Sequence, residues 1–591
     1  MKLINLLLIG FIGLYSLPTV AQKRVSYAFT HQSILSKEAQ LNMLTEVTQP
    51  GSSFLRLYFK GTELSKTSYL LLEGVDGAQQ KLSAVDLQNW NYSSAYFNGD
   101  RVKVSLFAAA GEKNTVRVSE IKVTDPQAGL TRNTRRTGGT LGTPPQPVAS
   151  TASNITENYP YAKAVGRFTN GSLTGGTGWI APNGAIVAND RAYTEYVSEA
   201  SYDIIEFNVP PSIGTTVMHP SPQDQYPLLT RTGPHSFGLD FKNAGNEYDS
   251  GAGWMLFDPQ PNGTGLRPGE RQQQYFRIAN NPRNSTINEQ GDGNMLVDIF
   301  HYGETNSDYL TGSTAYRTLR VSQTHLLPQN SNLNPVFTDD RELFVLYQLP
   351  WWGITDAGAP ITFAGTNVAI GIHNAGNDLN LGHGRGFRDD VLRNELNDFY
   401  DPNSVYVDFD GVSNSPTGEI HRPYLFASQA AGSAPNGAQV YFAGGTYPGA
   451  VTFNRAMTLR APVGTVKIGA SPVGARKAAG SSIPSHWQEG APSSSFDRDS
   501  TEDVQVRAYP NPFREQVEIN YPFAEDGAIS VQIFNLTGVP VATLTPNNAA
   551  SAQNGVQWNG TDHNGMPVPA GLYLVQVNNG KQTFTTKVMK K

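Results

Sequence analysis

Carboxylate side chains stand next to one another at two places in the sequence, in the aspartate pairs at 339–340 and 389–390. Two carboxylates that face each other can share the roles of general acid and general base. Adjacent residues of a helix or loop point apart into solvent, so neither pair predicts such a centre. The aspartates within residues 408–411 alternate as in a calcium loop, but the downstream bidentate glutamate is missing at the proper spacing.

The other residue types that commonly perform chemistry offer equally few candidates. The chain has no cysteine, which excludes thiol catalysis and thiolate metal sites. Its 10 histidines show no paired metal-ligand spacing, and the sequence has no glycine loop of the kind that holds phosphate. We therefore expect neither a cofactor nor a metal ion.

Composition and the first residues indicate where the protein works. The 44 basic and 50 acidic residues form no basic stripe and no acidic tail, so nucleic acid is not an implied partner. Residues 1–21 combine a lysine, an apolar run and small residues, which is typical of a secretory signal cleaved after Ala21. No later stretch has the roughly 20 continuous apolar residues of a spanning helix. We expect an exported protein without a transmembrane segment.

A mainly β fold is predicted by the many turn-forming residues and by short alternating runs. The runs at 54–59, 68–72 and 102–107 predict strands of a β-sandwich that covers residues 22–125. This region resembles the accessory domain that precedes peptidase domains in exported Bacteroidota proteins. Residues 126–160 are rich in Thr, Pro, Gly and Ser, which predicts a linker. Its basic residues mark either a processing site or a solvated loop, namely Arg132, Arg135 and Arg136.

Residues 161–402 resemble the chymotrypsin-like serine peptidases, especially glutamyl-specific members exported by Bacteroidota. Residues 176–192 look like the Gly-Thr-Gly-Trp segment that ends in the general-base histidine. Residues 251–257 look like the segment that supplies the orienting aspartate, and residues 355–360 like the nucleophile loop. The resemblance implies two six-stranded β-barrels with the site in the cleft between them. At the end of the region, the apolar residues Val391, Leu392 and Leu396 predict a short amphipathic closing helix.

The same resemblance implies that the catalytic triad has been lost. Aligned without gaps, Arg191 takes the place of the histidine, Gly253 that of the aspartate and Ala357 that of the serine. These residues supply no base, no carboxylate and no hydroxyl oxygen. Because removal of one nucleophile or base costs on the order of a million-fold in turnover, we predict that the protein is not an enzyme.

Other features of this family predict binding. The oxyanion donors are backbone amides, here those of Thr355 and Ala357, which side-chain substitution need not remove. In glutamyl-specific relatives, a histidine in a Gly-Ile-His strand helps to accept an acidic side chain. His373 matches that pattern, and His325 matches it less closely. The other interpretation is that each histidine only satisfies a hydrogen bond within the fold.

Two further modules are indicated after the peptidase-like region. Residues 403–470 resemble the opening coils of right-handed parallel β-helix proteins such as pectate-lyase-like domains, which predicts a short spacer. Residues 471–502 form a second predicted linker. Residues 503–591 resemble the type A sorting domain of type IX secretion cargo, an immunoglobulin-like β-sandwich that begins with Ala-Tyr-Pro-Asn-Pro-Phe. This domain predicts contact with the secretion machinery and a secreted or cell-surface location.

Three functions remain open at this point. The first is an inactive serine-peptidase homologue that binds a peptide or protein in a retained cleft between the barrels. The second is a structural or adhesive surface protein without a working cleft. The third is a hydrolase that uses displaced residues or the short coils.

Overall fold

A computed structural model gives the fold of most of the chain. It describes residues 20–129, 146–147, 159–171, 174–189, 204–213, 216–235, 240–243, 246–249, 253–279, 295–302, 318–326, 344–348, 357–376, 381–387, 390–411, 416–469, 507–509, 513–520, 529–535, 539–544, 555–578 and 583–591. The predicted signal peptide up to residue 19 lies outside this part, as does nearly all of the second predicted linker. The protein is mainly β, as the sequence predicts.

The first eight strands form an N-terminal sandwich of two antiparallel sheets, in the orders β1-β8-β3-β6 and β2-β7-β4-β5. The strands are β1 Val20–Gln32, β2 Gln40–Thr48, β3 Phe54–Tyr58, β4 Tyr69–Gly74, β5 Gln79–Ser83, β6 Phe97–Asn98, β7 Arg101–Ala108 and β8 Thr115–Gly129, with helix α1 at Ala84–Asn89. One core lies between the sheets and contains Trp90, Leu57 and Val104. The three predicted runs lie in β3, β4 and β7. Strands β4 and β7 alternate as predicted, whereas the first four residues of β3 are all buried, so the prediction of a single buried face is wrong for β3.

Six strands then close into a barrel in the order β10-β11-β12-β17-β14-β13. They are β10 Val165–Thr169, β11 Thr174–Ile180, β12 Ile186–Ala188, β13 Ile204–Glu206, β14 Gln225–His235 and β17 Trp254–Pro259; β15 Asp240–Asn243 and β16 Asn246–Asp249 pair separately. Trp179 of β11 and Trp254 of β17 are fully buried. The Trp179 ring contacts Phe276 and Phe387, outside the barrel strands, with ring centroids 5.6 and 5.9 Å apart. Short 3-10 turns precede β10 and β14 at Pro160–Ala164 and Pro222–Asp224.

A second sheet follows, in the order β21-β24-β23-β22-β19-β20-β9, with β18 beside β23. Its strands are β9 Gln146–Pro147, β18 Arg277–Ile278, β19 Leu296–His301, β20 Arg320–His325, β21 Phe344–Gln348, β22 Pro360–Phe363, β23 Val368–Gly376 and β24 Leu381–Gly386. An isolated antiparallel bridge between Leu326 and Tyr347 links the end of β20 to β21. Through that bridge, strands β19 to β24 form a ring of six.

The first predicted linker is partly regular structure. Strand β8 continues to Gly129, four residues past the predicted boundary, and pairs with β1 along its length. Gln146–Pro147 pairs with β20 of the second sheet. Backbone groups of a sheet edge gain hydrogen bonds from any extended segment that reaches them, and side-chain composition does not reveal this.

Helices are short and few among the described residues. Helix α2 covers Pro268–Gln272 and helix α3 covers Asp390–Asp398, where the sequence predicts a closing helix. Leu392 and Leu396 of α3 are fully buried, as predicted, whereas Val391 is 48% exposed and does not belong to the apolar face. No helix in the described part of the chain is long and apolar enough to cross a membrane.

A parallel module and a tail complete the described chain. The parallel module comprises β25 Ser404–Val407, helix α4 Ala427–Ser433, β26 Ala438–Phe442, β27 Gly445–Tyr447, β28 Met457–Arg460 and β29 Val466–Ile468. Its strands pair in parallel in the orders β25-β26-β28 and β27-β29. The tail has two antiparallel sheets formed by β30 Arg507–Tyr509, β31 Val517–Asn520, β32 Ser530–Asn535, β33 Pro540–Leu544, β34 Gly555–Trp558, β35 Gly571–Asn578 and β36 Thr583–Lys590.

A buried set of charges lies where the sandwich meets the closed barrel. Arg167 and Glu206 face each other on β10 and β13, with 2.6 Å between Nη2 and Oε2, and His219 Nδ1 lies 2.6 Å from the other carboxylate oxygen. All three side chains are fully buried. The His219 ring stacks on Tyr96 of the sandwich, with the ring centroids 4.6 Å apart.

This arrangement allows a carboxylate to remain charged inside the protein. Burial raises the pKa of Glu206, but the attraction of His219 and Arg167 and their hydrogen bonds outweigh it, so the pKa lies below its usual value. Around this set, Gln225 accepts from the backbone N–H of Tyr96 and donates to its carbonyl oxygen, both at 2.8 Å. Charge pairing and backbone hydrogen bonds together join the sandwich to the barrel.

We expect Glu206→Gln to lower the free energy of unfolding by about 3 kcal/mol at neutral pH, because it leaves Arg167 buried without its counter-charge. A carboxyl group with a lowered pKa stabilises the fold above its usual pKa, and this stability is lost as the pH falls through the lowered value. The difference in unfolding free energy between wild type and variant therefore becomes smaller at low pH. Urea titrations at neutral pH and at about pH 3 measure both effects.

Glu120→Gln is the matched control, since Glu120 is 44% exposed and lies 3.5 Å from Arg24. An exposed pair of this kind contributes less than about 1 kcal/mol. Equal losses in the two variants would contradict the importance of the buried set.

Candidate functional site

Ala357 lies in a turn held between the closed barrel and the second sheet. Its carbonyl oxygen accepts a hydrogen bond from the backbone N–H of Thr177 in β11, at 2.8 Å. The N–H of Gly358 donates to the carbonyl oxygen of His373 in β23, also at 2.8 Å. The side chain is a methyl group and the residue is only 6% exposed. The position that the resemblance gives to the nucleophile is thus buried between two sheets.

Gly358 allows this close contact. Its φ angle is +95°, in the left-handed region that favours glycine. A Cβ atom there would lie 2.0 Å from the carbonyl oxygen of Thr177 and 3.0 Å from the backbone nitrogen of Asn189. The turn therefore fits against β11 only without a side chain.

The side-chain amide of Asn189 joins three parts of the chain at the same place. Asn189 follows β12, and its Nδ2 donates to the carbonyl oxygen of Gly253 at 2.7 Å and to Oδ1 of Asn374 at 2.8 Å. Gly253 directly precedes β17, and Asn374 follows His373 in β23. All three residues are buried. The group that Gly253 presents here is a carbonyl oxygen engaged by an amide, where the resemblance expects a carboxylate that orients a histidine.

His373 lies beside the turn but its ring is directed to another partner. Its backbone N–H donates to Ala359 O at 2.8 Å, which fixes β23 next to the turn. The imidazole Nδ1 is hydrogen-bonded to the hydroxyl of Tyr347 on β21, and both side chains are buried. The pair is a phenol and an imidazole, so it can position a proton.

The other predicted binding residues are placed differently. His325 is exposed on β20, opposite Leu296 of β19. Strands β22 and β19 separate β20 from β23 on one side of the ring and β21 and β24 do so on the other, and His373 is buried whereas His325 is exposed. The structure therefore does not bring the two histidines together. Arg191 and Thr355 lie outside the described residues.

Sequence reasoning missed the asparagines. Asn189 falls in the segment that carries the peptidase resemblance, two residues before Arg191, and Asn374 directly follows His373. Neither residue type is distinctive, because asparagine is common in turns. Only the pairing across 185 positions of sequence reveals their role.

The aspartates of residues 408–411 are used inside the protein. Arg277 binds Asp408 through two hydrogen bonds, of 2.7 and 3.0 Å, and lies 3.7 Å from Asp410. The hydroxyl of Tyr275 donates to Asp408 at 2.7 Å. Burial lowers the pKa of the Arg277 guanidinium, but the attraction of Asp408 and its neighbours raises it by more. The pKa therefore lies above its usual range. These carboxylates thus connect the second sheet to the parallel module.

Metal ligands do not gather in the described part of the chain. No group of three or more histidine, aspartate or glutamate side chains there could hold a metal ion. The acid pairs at 339–340 and 389–390 lie wholly or partly outside the described residues.

With the fold and this junction described, the chain can be compared with known proteins. Residues 507–591 match the family described as the secretion system C-terminal sorting domain. The tail is similar to this sorting domain, which supports the prediction of type IX secretion cargo. This confirms the prediction made from the Ala-Tyr-Pro-Asn-Pro-Phe segment, and it implies export, with release or attachment at the cell surface. No curated protein sequence is significantly similar to the chain.

Solved structures resemble separate parts of the chain. PorZ, a surface component of the type IX secretion system of Porphyromonas gingivalis, is 26% identical over 15% of this chain and 11% of its own, with a TM-score of 0.12. Mouse neuropsin, a serine protease, is 12% identical over 39% of this chain and 92% of its own, with a TM-score of 0.27. A mutant of human heparin binding protein is 10% identical over 44% and 97%, also with a TM-score of 0.27. These weak likenesses of fold carry no argument about activity.

The contact of the turn with β11 can be tested with two alanine substitutions. Gly358→Ala and Gly365→Ala both place a side chain at positive φ, +95° and +73°, which costs about 1–2 kcal/mol. Only at Gly358 does the new Cβ meet backbone atoms, since Gly365 has nothing within 4 Å. We expect Gly358→Ala to be less stable than Gly365→Ala by about 2 kcal/mol or more in urea titrations. Equal stabilities would show that the turn does not press against β11.

Proposed function

We propose that this exported protein is a catalytically inactive homologue of serine peptidases that binds a peptide or protein ligand without cleaving it. The observation that supports this most is Ala357. It occupies the nucleophile position of the resemblance, its side chain carries no oxygen, and it lies in a turn held by Thr177 and His373. An acyl-transfer site needs an activated nucleophile at that point.

The surroundings of Ala357 also argue against a base that acts from the same place. A peptidase base must reach the nucleophile and must itself be oriented by a third group. Here the carbonyl of Gly253 accepts from Asn189, and the nearby imidazole of His373 bonds through Nδ1 to Tyr347. The Gly253 carbonyl, the Asn374 side-chain oxygen and the His373 Nδ1 are thus each engaged by another group of the fold, which stabilises the junction.

The proposed ligand binding uses a backbone donor that the fold retains. The backbone N–H of Ala357 is one of the two oxyanion donors that the resemblance implies, and substitution of the side chain does not remove it. The sorting tail directs the protein out of the cell, so the ligand is a peptide or protein met in the medium or at the surface. Binding at such a site requires a groove, not a triad.

A structural role is the second candidate, and a specific observation favours it. Asn189, Gly253 and Asn374 are buried and hydrogen-bonded at the point where a catalytic cleft would have its centre. A junction of this kind holds the two barrels together as a rigid unit. In this structural role, the surface that contacts other molecules lies elsewhere on the protein. The two candidates share the absence of catalysis and differ in whether a peptide enters between the barrels.

Loss of activation can be tested by restoring the hydroxyl alone. We expect Ala357→Ser to react with a fluorophosphonate probe no faster than Ala110→Ser, a matched variant at an exposed position of the sandwich. A serine without a base is a poor nucleophile, so both variants give only background labelling. Labelling is followed by intact mass, with trypsin as the positive control. Selective labelling of Ala357→Ser would reveal a working base and overturn the proposal.

A further inference from the structure

The stacked strands of the parallel module end at β28 and β29. Strand β28 pairs with β26 and is the last of its sheet, and β29 pairs with β27 alone. Within the part of the chain that the structure describes, no strand lies on their other side. An edge strand presents a row of backbone N–H and C=O groups that another strand can use.

The core-facing side chains of these two strands are left partly uncovered. By register, Val405, Val440 and Leu459 stand in one row across β25, β26 and β28. Val440 is fully buried, whereas Leu459 at the end of the row is 44% exposed. On β29, the side chains of Val466 and Ile468 are likewise only partly buried. Stacked coils bury such rows against the next coil, and among the described residues no further coil covers this one.

Charge indicates what kind of strand would fit. From residue 420 to residue 469 the sequence has no aspartate or glutamate, although the whole chain carries a net charge of −6. The last coil carries Arg455, Arg460 and Lys467, all exposed. Arg460 donates to an uncharged partner, Gln439 Oε1, at 2.7 Å. A surface of one sign attracts and selects partners of the opposite sign.

We propose that the edge formed by β28 and β29 binds an extended acidic peptide segment of a partner protein, which adds to the parallel module as a further strand. Main-chain hydrogen bonds to the edge provide affinity, and alternate side chains provide specificity. Apolar residues of the segment cover the row that ends at Leu459. Acidic residues between them face Arg460 and Lys467. This site is separate from the turn at Ala357 and does not rest on the function proposed for it.

Basic residues on an edge also have a purely protective use, since charges discourage edges from pairing with other chains. That use and the proposed one differ in a measurable way. A protective edge binds no strand of either charge, whereas a recognition edge binds acidic strands in preference to basic ones.

The test uses the full chain and three synthetic nine-residue peptides labelled with a fluorophore. One alternates valine and glutamate, the second alternates valine and lysine, and the third is the glutamate peptide with alternate backbone nitrogens methylated. We expect fluorescence anisotropy to show binding of the glutamate peptide. Binding of the lysine peptide and of the methylated peptide is expected to be at least about tenfold weaker. The lysine peptide is positively charged, like the edge, and the methylated peptide lacks half of its backbone N–H donors.

Matched variants locate the binding. Arg460→Glu combined with Lys467→Glu is expected to weaken binding of the glutamate peptide at least about tenfold. Lys60→Glu combined with Lys113→Glu makes the same charge change at exposed positions of the sandwich and leaves binding unchanged. Three results would overturn the proposal. The first is that no peptide binds, and the second is that both charge reversals change binding equally. The third is that the protein self-associates with increasing concentration and that Leu459→Asp abolishes this self-association, because the edge would then bind a second copy of the chain.

Discussion

One buried amide holds together the region on which the whole peptidase-like body depends. Nδ2 of Asn189 donates to Gly253 at the start of β17 and to Asn374 in β23, so it ties the closed barrel to the second sheet. Buried amides that lose their partners are costly, at about 1–3 kcal/mol for each group, so this contact constrains both sheets. The adjacent turn, with Gly358 against Thr177, completes the junction. The backbone carbonyls of Gly253 and Ala357 both accept hydrogen bonds at this junction.

The other modules attach to this body through buried charges paired within the protein. Glu206 is neutralised by Arg167 and His219 beside the sandwich, and Asp408 is paired with Arg277 beside the parallel module. A chain with no cysteine has no disulfide to join its modules. Buried ion pairs demand correct geometry, because each charge without its partner is strongly unfavourable. They therefore define how the modules meet.

The sequence predicts the local elements better than the contacts between them. Alternation in β4 and β7 and the leucines of α3 follow from burial of one face, which leaves a period in the sequence. Strand β3 is buried on both faces. The same rule wrongly placed Val391 on the buried face of α3. The buried face is a narrow stripe, and Val391 lies at its boundary. The pairing of Asn189 with Asn374 leaves no period at all, because one specific distant partner determines it. The predicted roles of Arg191 and Thr355 remain predictions.

The most direct test of the account is mass spectrometry of a diverse peptide library incubated with the full secreted protein. The account predicts that no new peptide termini appear, and that a subset of intact peptides is retained on the immobilised protein. New termini that depend on the protein would contradict the account, because they would require a nucleophile and a base that the junction around Ala357 does not supply.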